Sequence, residues 1–245
     1  MESPFLQAQG LLRYIGLFLS GVCHQLPEHC LLAGGVQLPL CARCMGTHLG
    51  ALLALCNFWR WKRGRASRLP SPGLLALLGL LFVLWVADSV NSYVQFATGR
   101  VLIYNPDNML RLLTGLGNGL LLSTLVLPMF NFSIWRQPSE ARIVQNWREL
   151  GMIGLQFAAL AIVMRSGPGW LLYPLLAASL AGVLLMLTIV NTVIAVIVLR
   201  RENSAANWRQ ALLPIGCGFL MAVAEVGIMA LLRDLLAAGL SPAAV

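Results

Sequence analysis

Long apolar segments separated by short polar connections dominate the chain. They occupy 42–60, 72–93, 108–130, 149–165, 171–199 and 210–233. Most of these segments are near the ~20 residues that an α-helix needs to cross the hydrocarbon core of a bilayer. A shorter apolar segment at 6–22 predicts a short N-terminal membrane helix. The segment 42–60 is the weakest as a full span, because His48, Asn57 and its thiols dilute it. The pattern therefore predicts an all-α fold: a polytopic membrane helical bundle of six long helices plus a short N-terminal membrane helix, in one domain spanning 1–245.

Composition supports a membrane protein and argues against a soluble one. The chain is 58% hydrophobic and 11% charged, with a mean hydropathy of +0.78, whereas soluble domains carry about 25% charged residues. The net charge of +8 comes without a basic patch interleaved with aromatic residues, so we expect no nucleic-acid partner. The expected partner is the lipid bilayer.

Basic residues concentrate in alternate connections between the predicted long helices. Eleven of the 17 lysines and arginines lie in or beside the connections after the first, third and fifth long helices. They are Arg60, Lys62, Arg63, Arg65 and Arg68, then Arg136, Arg142 and Arg148, then Arg200, Arg201 and Arg209. Membrane proteins keep such loops in the cytoplasm. The N-terminal thiol-rich segment, the connections 94–107 and 165–170 and the C-terminus are then predicted to face the outside.

Four of the six cysteines and all three histidines fall within 26 residues, in the sequences GVCHQLPEHC and PLCARCMGTHLG. Cys41 and Cys44 form a C-x-x-C pair, and Cys23 and His24 lie upstream. This layout is common in structural zinc sites, and a helix N-terminus near Cys41 would favour thiolates. The pattern predicts a zinc site on Cys23, His24, Cys41 and Cys44. Because adjacent Cys-His ligands are sterically awkward, His29, Cys30 or His48 is an alternative ligand.

Two other interpretations of the thiols stay open. An outward location favours disulfides, with Cys23–Cys30 and Cys41–Cys44 as one pairing. A C-x-x-C pair at a helix start above a membrane bundle also suits thiol–disulfide exchange with a quinone. In the remaining interpretation the cysteines are small residues packed between helices.

Polar residues flank one predicted outer loop inside otherwise apolar segments. Asp88 and Asn91 lie in VADSVNSY, and Asn108, Arg111 and Thr114 lie in NMLRLLTGLGNG. Ionisable groups at membrane depth are costly and usually face a partner or a cavity. We expect Asp88 and Arg111 to lie at similar depth, where they could pair, either as a structural ion pair or as part of a substrate site. The glycines of TGLGNG predict close helix packing.

The sequence CHQLPEHCLLAGGVQLPLCARCMGTHLG resembles the signature of DUF2085, a family of bacterial and archaeal integral membrane proteins of unassigned function. The matching pattern is C-H-x-x-P…P-x-C-x-R-C-x-G, followed by D-x-x-N…N-x-x-R-x-x-T-G. The resemblance covers about 20–120 and carries over Cys23, His24, Pro27, Cys41, Arg43, Cys44, Gly46, Asp88, Asn108 and Arg111. Cys30 and His48 depart from the family pattern, which expects a serine and an aromatic residue there, so both are weaker as ligands.

Together these features predict one outward-facing composite site in a prokaryotic plasma membrane. The metal site would adjoin an Asp/Arg polar pocket that suits a lipidic or prenyl-phosphate substrate. Asp88 and Arg111 are the candidate catalytic residues, and Arg43, Asn91, Asn108 and Thr114 the candidate substrate-binding residues. Two alternatives remain: a membrane thiol–disulfide oxidoreductase using the C-x-x-C pair and a quinone, or a transporter or subunit of a larger membrane complex with a purely structural metal site.

Overall fold

The computed structural model describes residue 5 and residues 10–240, the last three without their side chains. Its helices are α1 (Gly10–Leu19), α2 (Ala42–Arg60), α3 (Pro72–Thr98), α4 (Asn108–Ile134), α5 (Trp147–Ser166), α6 (Leu172–Val198) and α7 (Trp208–Leu240). The prediction of six long helices and one short N-terminal helix is confirmed within the described residues. The predicted helix 6–22 is shorter in the structure: residues 20–22 form a turn, and 6–9 lie outside the described residues.

Five of these segments are long and apolar enough to cross a membrane: 72–98, 108–134, 147–166, 169–198 and 208–237. α2 is not among them, because residues such as Arg43, His48 and Asn57 lower its hydropathy. It lies instead in the interior of the bundle, packed against α4 and α6. The six predicted long segments therefore give one buried central helix and five candidate membrane spans.

Glycines allow α2 and α4 to pack backbone against backbone. A Cβ added at Gly46 would collide with the carbonyl of Leu112, and one at Gly115 would collide with the carbonyl of Arg43. Gly50 and Gly119, one turn further along each helix, show the same close approach. Small residues at a spacing of four are the usual means of bringing two helices this close. This contact fixes the first turn of α2, which carries Arg43 and Cys44, beside the first turns of α4.

The connections gather at two opposite ends, as the alternation of basic loops predicted. At the basic end, the connections 61–71, 135–146 and 199–207 meet: β3 (Ala66–Arg68) pairs with β4 (Ser139–Arg142), and Trp135 bridges to Ala205. At the thiol end, the segment 20–41, the connections 99–107 and 167–171 and the C-terminal part of α7 meet. There the amide of Gly34 donates to the carbonyl of Gly167 at 2.8 Å. Two small sheets, one at each end, depart from the predicted all-α fold, although the chain remains mostly helical.

Candidate metal centre and adjoining cavity

A β-hairpin leads directly into α2 and positions the C-x-x-C pair. β1 (Cys30–Ala33) and β2 (Val36–Cys41) are joined by Gly34 and Gly35, whose φ angles of +58° and +80° suit a tight two-residue turn. β2 ends at Cys41, which is also the residue that caps the N-terminus of α2. The hairpin places Cys30 opposite Cys41 across the ladder, and the helix places Cys44 one turn further on.

Gln25 folds the preceding loop against the hairpin and thereby delivers Cys23. Its backbone has a φ of +56°, and its buried side-chain amide donates to the carbonyl oxygens of Gly16 at 2.7 Å and Pro39 at 2.9 Å. Cys23 then accepts a hydrogen bond from the backbone N–H of Cys41, with an N–Sγ distance of 3.2 Å. Cys23 thus meets the C-x-x-C pair, Cys41 and Cys44, at the start of α2.

The Sγ atoms of Cys23, Cys41 and Cys44 all lie within 4.8 Å of one another. Hydrogen bonds from Cys23 and from Cys44 hold the pKa of Cys41 well below its usual range, and one from His24 adds to this effect. The hydrogen bond to Cys41 and burial raise the pKa of Cys23 to about 12. The three sulfurs therefore form one hydrogen-bonded cluster in which Cys41 loses its proton most readily, and a thiophilic metal that binds there would take the place of the thiol protons.

His24, the fourth predicted ligand, lies beside the three thiols but outside the group that converges within 4.8 Å. Its Nδ1 accepts a hydrogen bond from the backbone N–H of Leu26 at 3.1 Å. A neutral imidazole with Nδ1 as acceptor carries its proton on Nε2. His24 contributes to the lowered pKa of Cys41 as a hydrogen-bond donor, and ligation of a metal through Nδ1 would require that atom to release Leu26.

The remaining cysteines and histidines do not join the three-thiol group. Cys30 is buried in the hairpin, where burial raises its pKa to about 12. The His29 ring packs edge-on against His24, with ring centroids 5.2 Å apart. His48 faces the interior further along α2, and Cys56 is exposed near the other end of that helix. All six cysteines are unbridged in the structure.

The ion pair near the thiols joins Asp88 to Arg43, which corrects the expected pairing of Asp88 with Arg111. The Arg43 Nη2 and Nε atoms lie 2.5 and 3.1 Å from Asp88 Oδ2. Tyr104 donates its hydroxyl to the other carboxylate oxygen at 2.7 Å. Sequence proximity in the outer hairpin suggested Arg111, but the close α2–α4 packing brings Arg43 to the carboxylate instead. Asp88 is 1% exposed, so its charge is held inside the bundle by these donors.

Arg111 is linked to this pair through Ser92. The Ser92 hydroxyl accepts from Arg43 Nη2 at 2.9 Å and is 3.4 Å from Arg111 Nε. Arg111 Nη1 donates to Asn108 Oδ1 at 2.7 Å, and the Asn108 amide donates to the carbonyls of Glu28 and Cys30. This chain of contacts connects α4 to the loop that carries the thiols.

The other two predicted substrate-binding residues are occupied by structural contacts. The Asn91 amide donates to the Tyr104 carbonyl at 2.8 Å, and its oxygen accepts from the Ile103 N–H at 2.9 Å. Thr114 donates to backbone carbonyls one turn back along α4, and its hydroxyl lies 3.4 Å from Asp88 Oδ2. Asn91 therefore holds the connection 99–107 over the site, and Thr114 supports the carboxylate.

A cavity of about 920 Å³ lies beside this network at the thiol end. Its polar lining includes His24, His29, Arg43, Ser92 and Arg233. Its apolar lining comes mainly from α3 and α7, namely Tyr93, Phe96, Met229, Leu232, Leu236 and Ala237. Burial, followed by the positive charge of Arg111, lowers the pKa of His29. Asp88 and Arg111 do not line it; they lie behind Arg43.

Arg233 and Tyr104 are residues of the candidate site that the sequence analysis missed. Arg233 Nη1 donates to the carbonyls of Ser20 and Cys23 at 3.1 and 2.8 Å, and its Nη2 donates to that of His24 at 3.1 Å. The signal for Arg233 was an arginine near the outer end of an apolar span, in LLRDLL. Tyr104, in the connection 99–107, carried no comparable sequence signal.

Residues 23–125 match the DUF2085 family, described as a predicted membrane protein. This confirms the resemblance carried by the two sequence motifs. No curated protein and no solved structure matches the chain. The DUF2085 segment runs from Cys23 into α4. It therefore contains the three thiols, the Arg43–Asp88 pair and Arg111, whereas Arg233 comes from outside it.

Proposed function

We propose that this integral membrane protein holds a zinc ion on Cys23, Cys41 and Cys44 at its extracytoplasmic face. The observation that carries the proposal is the convergence of the three Sγ atoms within 4.8 Å. Zinc–sulfur bonds of ~2.3 Å in a tetrahedral site require thiolates about 3.8 Å apart, so only a small contraction is needed. Burial of Cys23 and Cys41 protects such a site from competing ligands.

The placement on the extracytoplasmic side rests on charge distribution. Eleven of the 17 lysines and arginines lie in or beside the three connections of the basic end, and the thiol end is opposite. Positively charged loops remain in the cytoplasm when a membrane protein inserts. The thiol end then faces the oxidising outer side of the membrane, where free thiols tend to form disulfides. A bound metal would keep these cysteines reduced as thiolate ligands.

His24 is the candidate for the fourth zinc position, next to the cavity. With its ring turned, an imidazole nitrogen would complete a Cys₃His site. With its ring as observed, it would stabilise the Cys41 thiolate and leave the fourth position for a water or a substrate. When bound with an open position, zinc supplies Lewis-acid polarisation of a substrate oxygen or a bound water.

The proposed substrate is a polar-headed lipidic molecule, such as a prenyl phosphate. The cavity adjoining His24 has both polar and apolar walls, as such a molecule requires. The roles of Asp88 as a base and Arg111 as the anion-binding group stay predictions. Their contacts favour an indirect part, because both lie behind Arg43 and fix the orientation of its guanidinium. Arg43 itself lines the cavity.

Metal analysis of purified protein and of single cysteine variants tests the proposal. We expect about one zinc per chain, lost in Cys23→Ser, Cys41→Ser and Cys44→Ser and retained in Cys56→Ser. Cys56 is the matched control, since it lies on the same helix as Cys44 but away from the cluster. Equal zinc in Cys44→Ser and Cys56→Ser would refute the site.

The C-x-x-C geometry favours thiol–disulfide exchange as a second candidate. Cys41 is the N-cap residue of α2, and hydrogen bonds from Cys23 and Cys44 lower its pKa, as expected of an attacking cysteine. Metal-free protein that is isolated with a Cys41–Cys44 disulfide, and that exchanges electrons with a quinone, would establish this alternative. Zinc that tracks folding but leaves every activity unchanged when removed would instead indicate a structural metal in a transporter or complex subunit.

A further inference from the structure

The cavity at the thiol end lies in a lateral gap between two membrane helices. α3 packs mainly against α4, and α7 packs mainly against α6, so the cavity separates α3 from α7. The gap is lined by Tyr93 and Phe96 on one side and by Leu232 and Leu236 on the other. These four side chains are 70%, 59%, 47% and 65% exposed. Apolar surface of this kind at membrane depth faces lipid, so the gap is open to hydrocarbon chains.

The inner part of the same cavity carries positive charge. Arg43 and Arg233 both line it. Asp88 neutralises Arg43, whereas Arg233 has no carboxylate partner among the described residues and is bonded to carbonyl oxygens only. A guanidinium has five N–H donors, and these three contacts leave Arg233 with donors for an anion. Arg111, also without a carboxylate within 4.0 Å in the described part of the chain, adds a second positive charge behind Arg43.

We propose that this cavity binds a lipid with an anionic phosphate head, with the phosphate on Arg233 and Arg43 and the hydrocarbon chains between α3 and α7. Arginine forks match phosphate oxygens well, and the apolar gap accounts for the chains. The proposal deepens the proposed function and rests on it for its catalytic meaning, because it places the head group and the chains of the lipid that would reach the metal centre. It assigns the anion contact to Arg233, outside the DUF2085 segment, rather than to Arg111.

Lipid binding to delipidated protein in detergent, followed by native mass spectrometry, tests this proposal. The probes are phosphatidic acid and phosphatidylcholine of the same chain length. We expect phosphatidic acid to bind more tightly, and Arg233→Gln to weaken it by about tenfold or more, as for loss of a hydrogen bond to a charged group. Arg100→Gln is the matched control, because Arg100 is an exposed arginine at the same end that does not line the cavity.

Two further arms separate the possible ligands. Leu232→Trp fills the gap without touching the loop contacts of Arg233, so it should weaken phosphatidic acid binding even if Arg233→Gln disturbs the fold. A photoactivatable phosphatidic acid should label peptides that contain 93–96 and 229–236. Equal binding of the two lipids, or equal effects of Arg233→Gln and Arg100→Gln, would overturn the proposal. Displacement by an equal concentration of inorganic phosphate would identify free phosphate as the ligand and overturn the lipid assignment.

Zinc content measured on the same samples distinguishes this proposal from the proposed function. Selective phosphatidic acid binding by protein without zinc would refute the metal centre and leave the lipid site standing. Zinc-loaded protein without lipid selectivity would do the reverse. The expected result is zinc retained in Leu232→Trp with lipid binding reduced.

Discussion

Removal of Asp88 should destabilise the protein strongly, because it leaves a cation without its partner inside the bundle. Asp88 is 1% exposed and the Arg43 side chain is 18% exposed. Breaking a buried pair costs about 3–5 kcal/mol, and the partial exposure of Arg43 places the expected loss for Asp88→Leu near the lower value, about 3 kcal/mol. The Tyr104 hydroxyl would also lose its acceptor.

The chain offers two controls for this experiment. The Arg68–Glu140 pair at the basic end has the same 2.5 Å contact but side chains that are 61% and 81% exposed, so Glu140→Ala should cost only about 0–1 kcal/mol. The double variant Arg43→Met/Asp88→Leu removes both charges and should recover most of the loss, because apolar side chains replace a buried pair at little cost.

Equilibrium unfolding in mixed micelles, followed by circular dichroism, measures these differences. Zinc content recorded at the same time shows whether the thiol cluster is affected, since Arg43 lies between Cys41 and Cys44 in the sequence. The reasoning would be refuted if Asp88→Leu were no more destabilising than Glu140→Ala, or if the double variant were less stable than Asp88→Leu.

Three further perturbations test other parts of the account. In metal-free protein at pH 6, iodoacetamide should modify Cys41 before Cys23. The reason is that the lowered pKa of Cys41 favours its thiolate, whereas Cys23, with a pKa of about 12, stays protonated. Peptide mapping that finds Cys23 modified first would contradict this. Gly119→Ala should lower the free energy of unfolding by about 1–3 kcal/mol, because it overpacks α2 against α4. Gly79→Ala, in open space, should stabilise α3 by up to about 1 kcal/mol. Thermal unfolding that ranks the two variants in the opposite order would refute the glycine contact. Glu149→Gln, which breaks a buried ion pair at the basic end, should reduce stability by about 2 kcal/mol with zinc content unchanged, and loss of zinc would show that the two ends are coupled.

The helices could be predicted because membrane insertion depends on hydropathy, which is a local property of the sequence. Their ends were less accurate: α3 was expected at 72–93 and runs to Thr98, and α7 was expected at 210–233 and runs from Trp208 to Leu240. Both extensions are themselves largely apolar, VQFAT in α3 and DLLAAGL in α7, so the polar residues Gln95 and Asp234 do not end the helices. The hairpin at 30–41 was missed, although Gly34 and Gly35 carry the signal of a tight turn.

The candidate site was predictable where residue chemistry is distinctive and not where it depends on tertiary packing. Cys23, Cys41 and Cys44 could be grouped from their spacing alone. The choice of Arg43 rather than Arg111 as the partner of Asp88 depends on how closely α2 approaches α4, which the glycines set but hydropathy does not reveal. Arg233 reaches the site from the last helix, so only the folded chain shows that it meets the loop at 20–24.

The measurement that tests the metal centre most directly is zinc X-ray absorption on the purified, lipid-reconstituted protein. We expect three sulfur ligands at ~2.3 Å and one nitrogen or oxygen ligand at ~2.0 Å, and loss of the zinc signal in Cys41→Ser. A zinc ion surrounded by nitrogen and oxygen alone, or the same spectrum in wild-type protein and Cys41→Ser, would contradict the three-thiolate site.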